Sequence, residues 1–557
     1  MVPRLAVLAV GKIVGFPSRV KLWTFNAACR RPRERQETLL QSILTYQADT
    51  AFGRDHHFRD IRSVADFRRN LPVAPYEYFE PYLARVRRGE TNALLADPAV
   101  LMFALTSGTT AARKTIPITP RYLADFRRGW NRWGLRALLD HQRISCSPIL
   151  QLAGDPEEFH TEAGIPCGSL SGLTVRAQKR LIRFLYCMPA AASPIKDAAA
   201  KYYVALRLSL GRPVGMILAA NPSTLTALAR TLNEEKESLL RDLRDGALTD
   251  KLPIPAAIRT DLAPFLKKYP QRARQFDAIA ERTGELWPRD VWPPDRMLLG
   301  TWTGGSVGPY LRQVAQAYGE TYVRDLGLVA SEGRMTIPLR DGTPAGVLDI
   351  TTHYFEFIPE SEGDSPQPTV LTAHELEEGK HYFILLTTAA GLYRYHIHDL
   401  VRVVGFHRRT PLLEFLGKGQ NFANLTGEKV SEYQVTRAVA DVTRRRGLSL
   451  PVYVLAPCWD DRQPYYGLFI ERGAWAGSDA SALAEIDGAL AAANEEYRGK
   501  RASGRLGPVR AMWLPPGTWA RWDGDRLARA GGPPEQYKHP CLIGDVKFRE
   551  SMPVDLS

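Results

Sequence analysis

The sequence predicts a mixed α/β protein with a large N-terminal domain and a smaller C-terminal domain. Its 557 residues exceed what one hydrophobic core usually supports, so two or three domains are expected. Amphipathic helical patterns dominate the first half of the chain, and from about residue 296 short apolar runs alternate with glycine and charged turns. This combination of helices and strands is typical of an α/β fold.

The predicted helices come first along the chain. Charged and apolar positions interleave across residues 35–90, which indicates helices interrupted by breaks at Pro72, Pro75 and Pro81. Residues 176–250 show the same periodicity, so a second group of helices is expected there.

The predicted strands follow in the second half of the large domain. They are short apolar runs bounded by glycine and charged residues, at 297–299, 347–350, 382–386 and 400–404. With the preceding helices, they complete the expected mixed β-sheets of the large domain.

A second change of composition, at residues 417–420, predicts a domain boundary that also acts as a hinge. We therefore expect a large domain over residues 1–417 and a small α+β domain over residues 420–557. The elements expected in the small domain are a helix after Glu432, strands at 452–455 and 466–470, a helix at 481–497, and a Pro/Gly-rich end.

Composition narrows the classes of protein. The chain has 45% hydrophobic and 24% charged residues, as globular proteins do. The start of the chain, residues 1–16, contains Arg4 and Lys12 and is interpreted as a first helix rather than a signal peptide. No long uncharged apolar run predicts a membrane span. Six widely separated cysteines fit neither a disulfide framework nor a zinc site, which favours a reducing cytoplasm.

The net charge of +13 comes from arginine-rich stretches scattered along the chain. Charge alone is compatible with nucleic-acid binding. Attraction of anionic small molecules, or simple solubility, is the favoured interpretation, because no recognition-helix or zinc-finger pattern accompanies the charge.

One loop has the composition of a polyphosphate site. Small and hydroxylated residues follow an apolar run and end at a lysine, so backbone N–H groups, hydroxyls and a cation come together. A Walker A motif is disfavoured, because Arg113 stands where its second glycine belongs. A plain turn, or capping of a following helix by Thr109 or Thr110, remains the alternative. The residues of the loop are Thr106, Ser107, Gly108, Thr109, Thr110 and Lys114.

Further segments follow this loop in a recognisable order. They are Trp302-Thr303-Gly304-Gly305-Ser306, Ala330-Ser331-Glu332-Gly333, Tyr354-Phe355-Glu356-Phe357-Ile358-Pro359 and Gly391-Leu392-Tyr393-Arg394-Tyr395-His396-Ile397-His398-Asp399. Together with residues 49–54, 427–429 and 536–538, the series resembles the auxin-responsive (Gretchen Hagen) family of acyl-acid amido synthetases. That family belongs to the adenylate-forming superfamily. Each motif alone is weak, and the order of the motifs over residues 36–548 makes the resemblance specific.

The resemblance implies an adenylate-forming large domain and a small C-terminal domain that rotates. It implies ATP-dependent activation of a carboxylic acid to an acyl-adenylate, followed by attack of an amino acid's amine. ATP and Mg²⁺ are the implied cofactors. A small acid and an amino acid are the implied substrates, and the family precedent leans towards a monomer.

Several residues take roles through this resemblance. Thr106 to Thr110 with Lys114 would hold the β- and γ-phosphates, and Glu332 would bind Mg²⁺, which prefers hard oxygen ligands. Asp399 would hold the ribose hydroxyls. One ring of Tyr354 or Phe355 would pack on adenine, while Gly304, Gly305 and Ser306 would let the backbone pass close to the nucleotide.

The small domain would supply cations. Lys429 and Lys538 match family positions that reach the phosphates or the adenylate, although a surface location is the ordinary one for any lysine. Lys418 stands where the family commonly has arginine. Lysine keeps the positive charge but cannot form the bidentate contact of an arginine. His398 stands where the family usually has glycine. The histidine either alters the local backbone or places an imidazole near the site, and the sequence leaves both possibilities open.

Some alternatives remain open from the sequence. By analogy with the family, residues 130–133 and 169–171 would form the acyl pocket. Trp130 and Trp133 either line that pocket or belong to the core. An adenylating enzyme that transfers its acyl group to coenzyme A is the nearest rival function. A non-catalytic nucleic-acid or anion-binding protein is the rival from another class.

Overall fold

The computed structural model describes residues 20–106, 114–178, 180–304, 308–363, 365, 367–418, 422–448, 450, 452–473, 475, 480–530 and 539–554. Apart from two loop segments, a large compact unit extends to Gly417 and a small unit begins at Lys418. The expected mixed α/β fold with a large and a smaller domain is confirmed. None of the helices in these ranges is long and apolar enough to cross a bilayer.

The strands of the large unit are numbered in chain order. They are β1 (Met102–Thr106), β2 (Lys114–Ile118), β3 (Ile149–Gln151), β4 (Phe159–His160), β5 (Pro166–Gly168), β6 (Met216–Leu218), β7 (Leu298–Gly300), β8 (Tyr322–Arg324), β9 (Val329–Ala330), β10 (Gly333–Arg334), β11 (Thr336–Ile337), β12 (Gly346–Leu348), β13 (Tyr354–Pro359), β14 (Leu371–Thr372), β15 (His381–Thr387), β16 (Tyr395–His407) and β17 (Thr410–Lys418).

The helices of the large unit are numbered in the same way. They are α1 (described over 20–28), α2 (Pro32–Gln47), α3 (Ala51–Asp55), α4 (Val64–Asn70), α5 (Glu80–Arg87), α6 (Pro120–Asp140), α7 (Leu170–Arg176), α8 (Arg180–Arg183), α9 (Ala198–Ser209), α10 (Pro222–Glu234), α11 (Lys236–Asp245), α12 (Ala256–Leu262), α13 (Pro270–Thr283), α14 (Pro288–Val291) and α15 (Gly308–Tyr318).

Local sequence explains where the main helices begin. The Thr119 hydroxyl caps α6 by accepting from the Tyr122 N–H, and Asn221 caps α10 by accepting from the Ser223 N–H. Proline occupies the first turn of both helices, where its missing N–H has no consequence. Pro81 does the same in α5, so the predicted break at Pro81 is wrong: this proline starts a helix.

Besides the two-stranded pair β9-β10, three larger sheets lie in the described part of the large unit. The strands β3, β6, β7 and β8 lie side by side and are all parallel. A second sheet has the order β2-β1-β5-β4. The third has seven strands in the order β11-β12-β17-β16-β15-β13-β14. The predicted runs at 297–299, 347–350, 382–386 and 400–404 correspond to β7, β12, β15 and part of β16.

The two largest hydrophobic clusters among the described residues of the large unit pack against these sheets. One joins α2 and α6 to β1, β2 and the seven-stranded sheet. The other surrounds the parallel sheet with α9, α10, α11 and α13. Burial of apolar side chains is the main favourable term in folding, so the two cores fix the loops at the strand ends.

The small unit has its own sheet and core. Its strands are β18 (Phe422–Ala423), β19 (Val430–Ser431), β20 (Val454–Cys458), β21 (Tyr465–Glu471) and β22 (Arg510–Leu514), and its helices are α16 (Glu432–Arg446), α17 (Ala480–Ala493), α18 (Glu495–Ala502), α19 (Thr518–Ala530) and α20 (Phe548–Ser551). The order β20-β21-β22 places β21 centrally. The single helix expected at 481–497 is two helices separated by Asn494, and the Pro/Gly-rich end contains β22 and α19.

Candidate functional site

The two ends of the proposed phosphate loop are held together by a ladder. β1 and β2 are antiparallel neighbours, and Thr106 is the cross-strand partner of Lys114. The loop therefore leaves and re-enters the sheet at one place, with Lys114 at its exit. Ser107, Gly108, Thr109 and Thr110 lie outside the described residues.

Two tyrosines surround the Lys114 ammonium. It donates to the Tyr395 hydroxyl over 3.3 Å and lies 5.3 Å from the centroid of the Tyr76 ring and 5.7 Å from that of Tyr395. Tyr76 is itself fixed, because its hydroxyl accepts from the Thr115 N–H at 2.9 Å and donates to the Thr115 carbonyl at 3.1 Å. A cation over two aromatic faces is stabilised by both ring quadrupoles, so Lys114 is positioned from both sides.

Two acidic side chains influence Tyr395 electrostatically. Burial raises the pKa of Tyr395 well above its ordinary value, and the negative charges of Glu332 and Asp399 raise it further. Glu332 has the same effect on the pKa of Tyr122, after burial. Lys114, Glu332 and Asp399 therefore lie within electrostatic range of one phenol that stays protonated at neutral pH.

Glu332 is presented on a tight turn. Ala330 in β9 pairs with Gly333 in β10, so Ser331 and Glu332 form a two-residue connection. The Tyr122 hydroxyl donates to the Ser331 carbonyl at 2.5 Å. A Cβ on Gly333 would come within 2.9 Å of the His353 ring, so only glycine allows the turn to lie this close to the core.

His353 lies beneath this turn and is fully buried. Within the described part of the chain, neither ring nitrogen has a hydrogen-bond partner. Burial lowers its pKa to about 4. The imidazole is therefore neutral at physiological pH and supports the Glu332 turn by packing, its ring stacking with that of Tyr122 at 6.0 Å.

Asp399 lies at an irregularity of β16. Phe383 pairs with Leu400, yet Leu385 pairs with His396, so extra residues bulge from the ladder between these pairs. The bulge contains His398 with a φ of 62° and the Asp399 side chain, which is almost fully buried. Positive φ is the left-handed conformation that glycine adopts readily.

The local geometry of His398 is defined by its backbone and by His396. Its N–H donates to Nδ1 of His396 at 3.0 Å, and the two rings stack with centroids 4.1 Å apart. The backbone keeps the conformation expected of glycine, and the imidazole packs on His396.

Tyr354 and Phe355 occupy adjacent positions of β13, opposite Thr387 and Leu386 of β15. Both side chains are fully buried in the core, and the Tyr354 ring contacts Phe67 edge to face at 5.9 Å. Contact of either ring with adenine stays a prediction.

The carboxyl end of the parallel sheet supplies another polar group. Asp325, directly after β8, accepts from the N–H and the hydroxyl of Thr303 at 2.6 and 2.8 Å. These bonds fix the segment after β7 that contains Gly304. A Cβ on Gly304 would lie 2.9 Å from Pro344. Gly305 and Ser306 lie outside the described residues.

The tryptophans near the proposed acyl pocket have different environments. Trp133 is buried, and its indole N–H donates to the Asp325 carbonyl at 2.7 Å. Trp130 is partly buried beneath the Arg334 guanidinium, which lies 4.3 Å from its ring. Trp133 therefore belongs to the core, which is one of the two roles that the sequence left open for it.

In the small unit, Lys429 lies on the turn between β18 and β19. Its φ is 43°, a left-handed value that is uncommon for lysine. Lys418 is the last residue of β17, and Lys538 lies outside the described residues.

Three family models match successive parts of the chain. The N-terminal domain of the GH3 family matches residues 21–323, the central domain matches 346–418, and the C-terminal domain matches 433–547. Together they cover most of the chain.

The chain belongs to the GH3 family.

Curated GH3 relatives align over nearly the full length. The jasmonoyl-L-amino acid synthetase GH3.5 of Oryza sativa subsp. japonica is 25% identical over 93% of this chain and 94% of that protein. The indole-3-acetic acid-amido synthetase GH3.4 of Arabidopsis thaliana is 23% identical, covering 92% and 90%. These two relatives are thus named as amido synthetases that act on different acids.

Solved structures share the GH3 fold. The AtGH3.15 acyl acid amido synthetase in complex with 2,4-DB has a TM-score of 0.67 at 19% identity, covering 97% of this chain and 96% of that one. A 2-hydroxyisobutyryl-CoA ligase has a TM-score of 0.50 at 14% identity, covering 93% and 91%. The chain therefore shares its overall fold with both structures.

The GH3 chain offers a sparse donor set for a metal. Over the described ranges, no group of three His, Cys, Asp or Glu side chains comes together. A lone buried carboxylate such as Glu332 suits Mg²⁺, which typically keeps waters and binds substrate phosphates with only one or two protein carboxylates. The residues therefore fit an Mg²⁺ that arrives with ATP.

Sequence reasoning missed Tyr76, Tyr395 and Asp325 as parts of this GH3 site. Tyr395 lies inside a quoted motif, four residues before Asp399, and its position could have indicated a role. Tyr76 belongs to a segment with no motif, so only the three-dimensional structure places it beside Lys114.

Proposed function

We propose that this GH3 chain activates a carboxylic acid with ATP and Mg²⁺ and transfers the acyl group to an amino acid, forming an amide. The observation that carries the proposal is the grouping of Lys114, Glu332 and Asp399 around Tyr395 in a member of this family. The activities of the two relatives, named for jasmonoyl and indole-3-acetic acid substrates, support the reaction class. The acid and the amino acid of this chain are not assigned.

The first half-reaction joins a carboxylate to the α-phosphate of ATP. Two anions must approach, so charge neutralisation and alignment supply most of the catalysis. Lys114 and the loop from Thr106 to Thr110 would hold the β- and γ-phosphates, and Asp399 would accept hydrogen bonds from the ribose hydroxyls. Glu332 would hold Mg²⁺, which neutralises phosphate charge when bound.

The second half-reaction needs a rearranged site. We assign the domains to residues 1–417 and 420–557, with a hinge at 417–420 about which the small domain rotates between half-reactions. Closure would exclude water from a reactive adenylate. When the small domain closes for the first half-reaction, Lys429 and Lys538 would reach the phosphates or the adenylate, and Lys418 would give a ribose or phosphate contact without the arginine fork.

The enzyme is proposed to act as a cytoplasmic monomer on small molecules. All six cysteines are free thiols, which is compatible with a reducing compartment. The scattered positive charge would favour encounter with ATP and an anionic acid.

The test is pyrophosphate release from ATP and Mg²⁺ with a panel of aryl and indolic acids, followed by mass spectrometry with amino acids and coenzyme A offered together. We expect acid-dependent release and an amide product. A thioester product would replace the proposal with acyl-CoA ligation. No release with any acid, together with salt-sensitive oligonucleotide binding, would favour a nucleic-acid-binding protein.

Variants assign the residues within this assay. Asp399→Ala is expected to raise the KM for ATP, because the ribose anchor is lost. Lys538→Ala is expected to lower kcat without changing the unfolding temperature, and full activity of this variant would remove Lys538 from the mechanism. Glu332→Gln keeps the shape of the side chain and should raise the Mg²⁺ concentration needed for half-maximal rate. The exposed Glu378→Gln is its matched control.

A further inference from the structure

The turn that presents Lys429 is tied down by the glutamate before it. Glu428 is fully buried, and its carboxylate accepts from the N–H groups of Leu425 and Thr426, both at 2.7 Å, and from the Thr426 hydroxyl at 2.6 Å. The Tyr466 hydroxyl on β21 donates a fourth bond at 2.5 Å. Hydrogen bonds to a carboxylate are stronger than neutral ones, so Glu428 connects the turn firmly to the central strand.

A second tie comes from the junction of α17 and α18. The Asn494 side-chain amide donates to the carbonyl of Glu428 at 2.8 Å and approaches that of Lys429 at 3.3 Å. Its oxygen accepts from the Tyr497 N–H at 2.9 Å and caps α18. One buried side chain therefore caps the start of α18 and holds two consecutive carbonyls of the turn.

The two ties explain how a lysine keeps a left-handed backbone. A φ of 43° at Lys429 is unfavourable for a residue with a Cβ. Such conformations persist where the surroundings over-determine them, and they cluster at functional sites. Within the part of the chain that the structure describes, the Lys429 side chain makes no hydrogen bond or ion pair that would account for the turn.

We infer that Asn494 is a positioning residue for Lys429, setting the backbone from which its ammonium reaches the reacting phosphates. This inference rests on the proposed function for the role of Lys429. It predicts that Asn494 affects catalysis only through Lys429, and it assigns Glu428 to holding the turn rather than to chemistry.

The test is a double-mutant cycle on the rate of pyrophosphate release. Asn494→Ser keeps a cap for α18 and removes the amide donor. We expect kcat to fall about 10- to 100-fold, as small misplacements do, with little change in the KM for ATP. In a Lys429→Ala background, Asn494→Ser should cause no further loss. Ser63→Ala, which removes the cap of α4, should leave the activity unchanged.

Each outcome decides between distinct ideas. Additive losses in the cycle would overturn the positioning role, as would an unchanged kcat in Asn494→Ser. If the wild type is active and Lys429→Ala does not change its rate, Lys429 has no catalytic role. The positioning role of Asn494 would then be overturned, and the amido synthetase proposal would stand. An inactive wild type would instead remove the proposed function. In that case a crystal structure of Asn494→Ser tests whether Asn494 holds the backbone of residue 429. A positive φ retained at residue 429 would show that it does not.

Discussion

The ammonium of Lys114 donates to the hydroxyl of Tyr395 over 3.3 Å. The two residues come from distant parts of the chain, Lys114 from the edge strand β2 and Tyr395 from the start of β16 in the seven-stranded sheet. The contact joins the exit of the phosphate loop to the strand that carries Asp399. The proposed triphosphate and ribose anchors are therefore positioned relative to each other.

Removal of the Tyr395 hydroxyl tests this link. Tyr395→Phe keeps the ring and the cation–π contact but removes the acceptor, so the rate of pyrophosphate release should fall about 10-fold. The matched control is Tyr393→Phe. The Tyr393 hydroxyl is buried without a partner in the described part of the chain, so its loss should leave the rate unchanged. Equal rates for wild type and Tyr395→Phe would argue against the link.

Glycine at position 398 should stabilise the protein. The φ of 62° is strained for histidine and free for glycine, so His398→Gly should raise the free energy of unfolding by about 1 kcal/mol. His398→Ala, which also loses the ring but keeps a Cβ, is the control and should not be stabilising. Urea denaturation of the three proteins measures the effect. A destabilised glycine variant would mean that stacking on His396 outweighs the strain.

A buried ion triad ties β13 to the segment before β16. The carboxylate of Glu356 accepts from Arg68 at 2.8 Å and from Arg394 at 2.9 Å, and the Arg394 side chain is 5% exposed. Removing one member leaves buried charge uncompensated, so Glu356→Gln should destabilise by about 3–5 kcal/mol.

The matched control for Glu356→Gln is Glu37→Gln, in the exposed pair that Glu37 forms with Arg33 on α2. Its effect on the free energy of unfolding should be much smaller, because solvent screens an exposed pair. Thermal and urea unfolding compare the two variants, and similar effects would mean that burial does not strengthen the triad.

The neutral imidazole of His353 predicts a loss of stability in acid. Its pKa of about 4 in the folded protein lies below the ordinary 6.5 of the unfolded chain. The unfolded state therefore binds the proton more readily, and stability is lost as the pH falls from about 6.5 towards 4. The loss from this group between pH 7 and 5 should be about 2 kcal/mol.

His353→Leu removes this group with little change in volume. The variant should lose less stability than wild type between pH 7 and 5, and it should be no less stable at pH 7, because two unpartnered nitrogens are removed. Urea denaturation at both pH values measures the difference. Equal pH dependence in the two proteins would show that the imidazole is not buried in a neutral form.

The sequence predicted those parts of the site that short motifs encode. Glu332 follows an apolar run and precedes a glycine, which indicated the end of a strand, and it lies on a hairpin turn. Asp399 was identified by motif order. Tyr76 was not predicted, because its contact with Lys114 depends on how a connecting segment packs beside β16, and local periodicity carries no information about such packing.

The same reasoning explains the errors in the small unit. A helical pattern continues through residues 481–497, yet Asn494 ends one helix and caps the next. Asparagine competes with the helix backbone for hydrogen bonds, but periodicity alone does not show when this competition wins. Strand β22 was missed because its pairing partner, β21, is distant in sequence and parallel to it.

The left-handed backbone at His398 has a consequence for recognising related sequences. A signature that requires glycine before the aspartate would reject this chain, although its main chain has the conformation that glycine would supply. In this chain the motif is realised as a torsion angle followed by a carboxylate, with histidine in place of glycine. Structure-based searches that require a positive φ before the aspartate should find related chains that a sequence signature requiring glycine would reject.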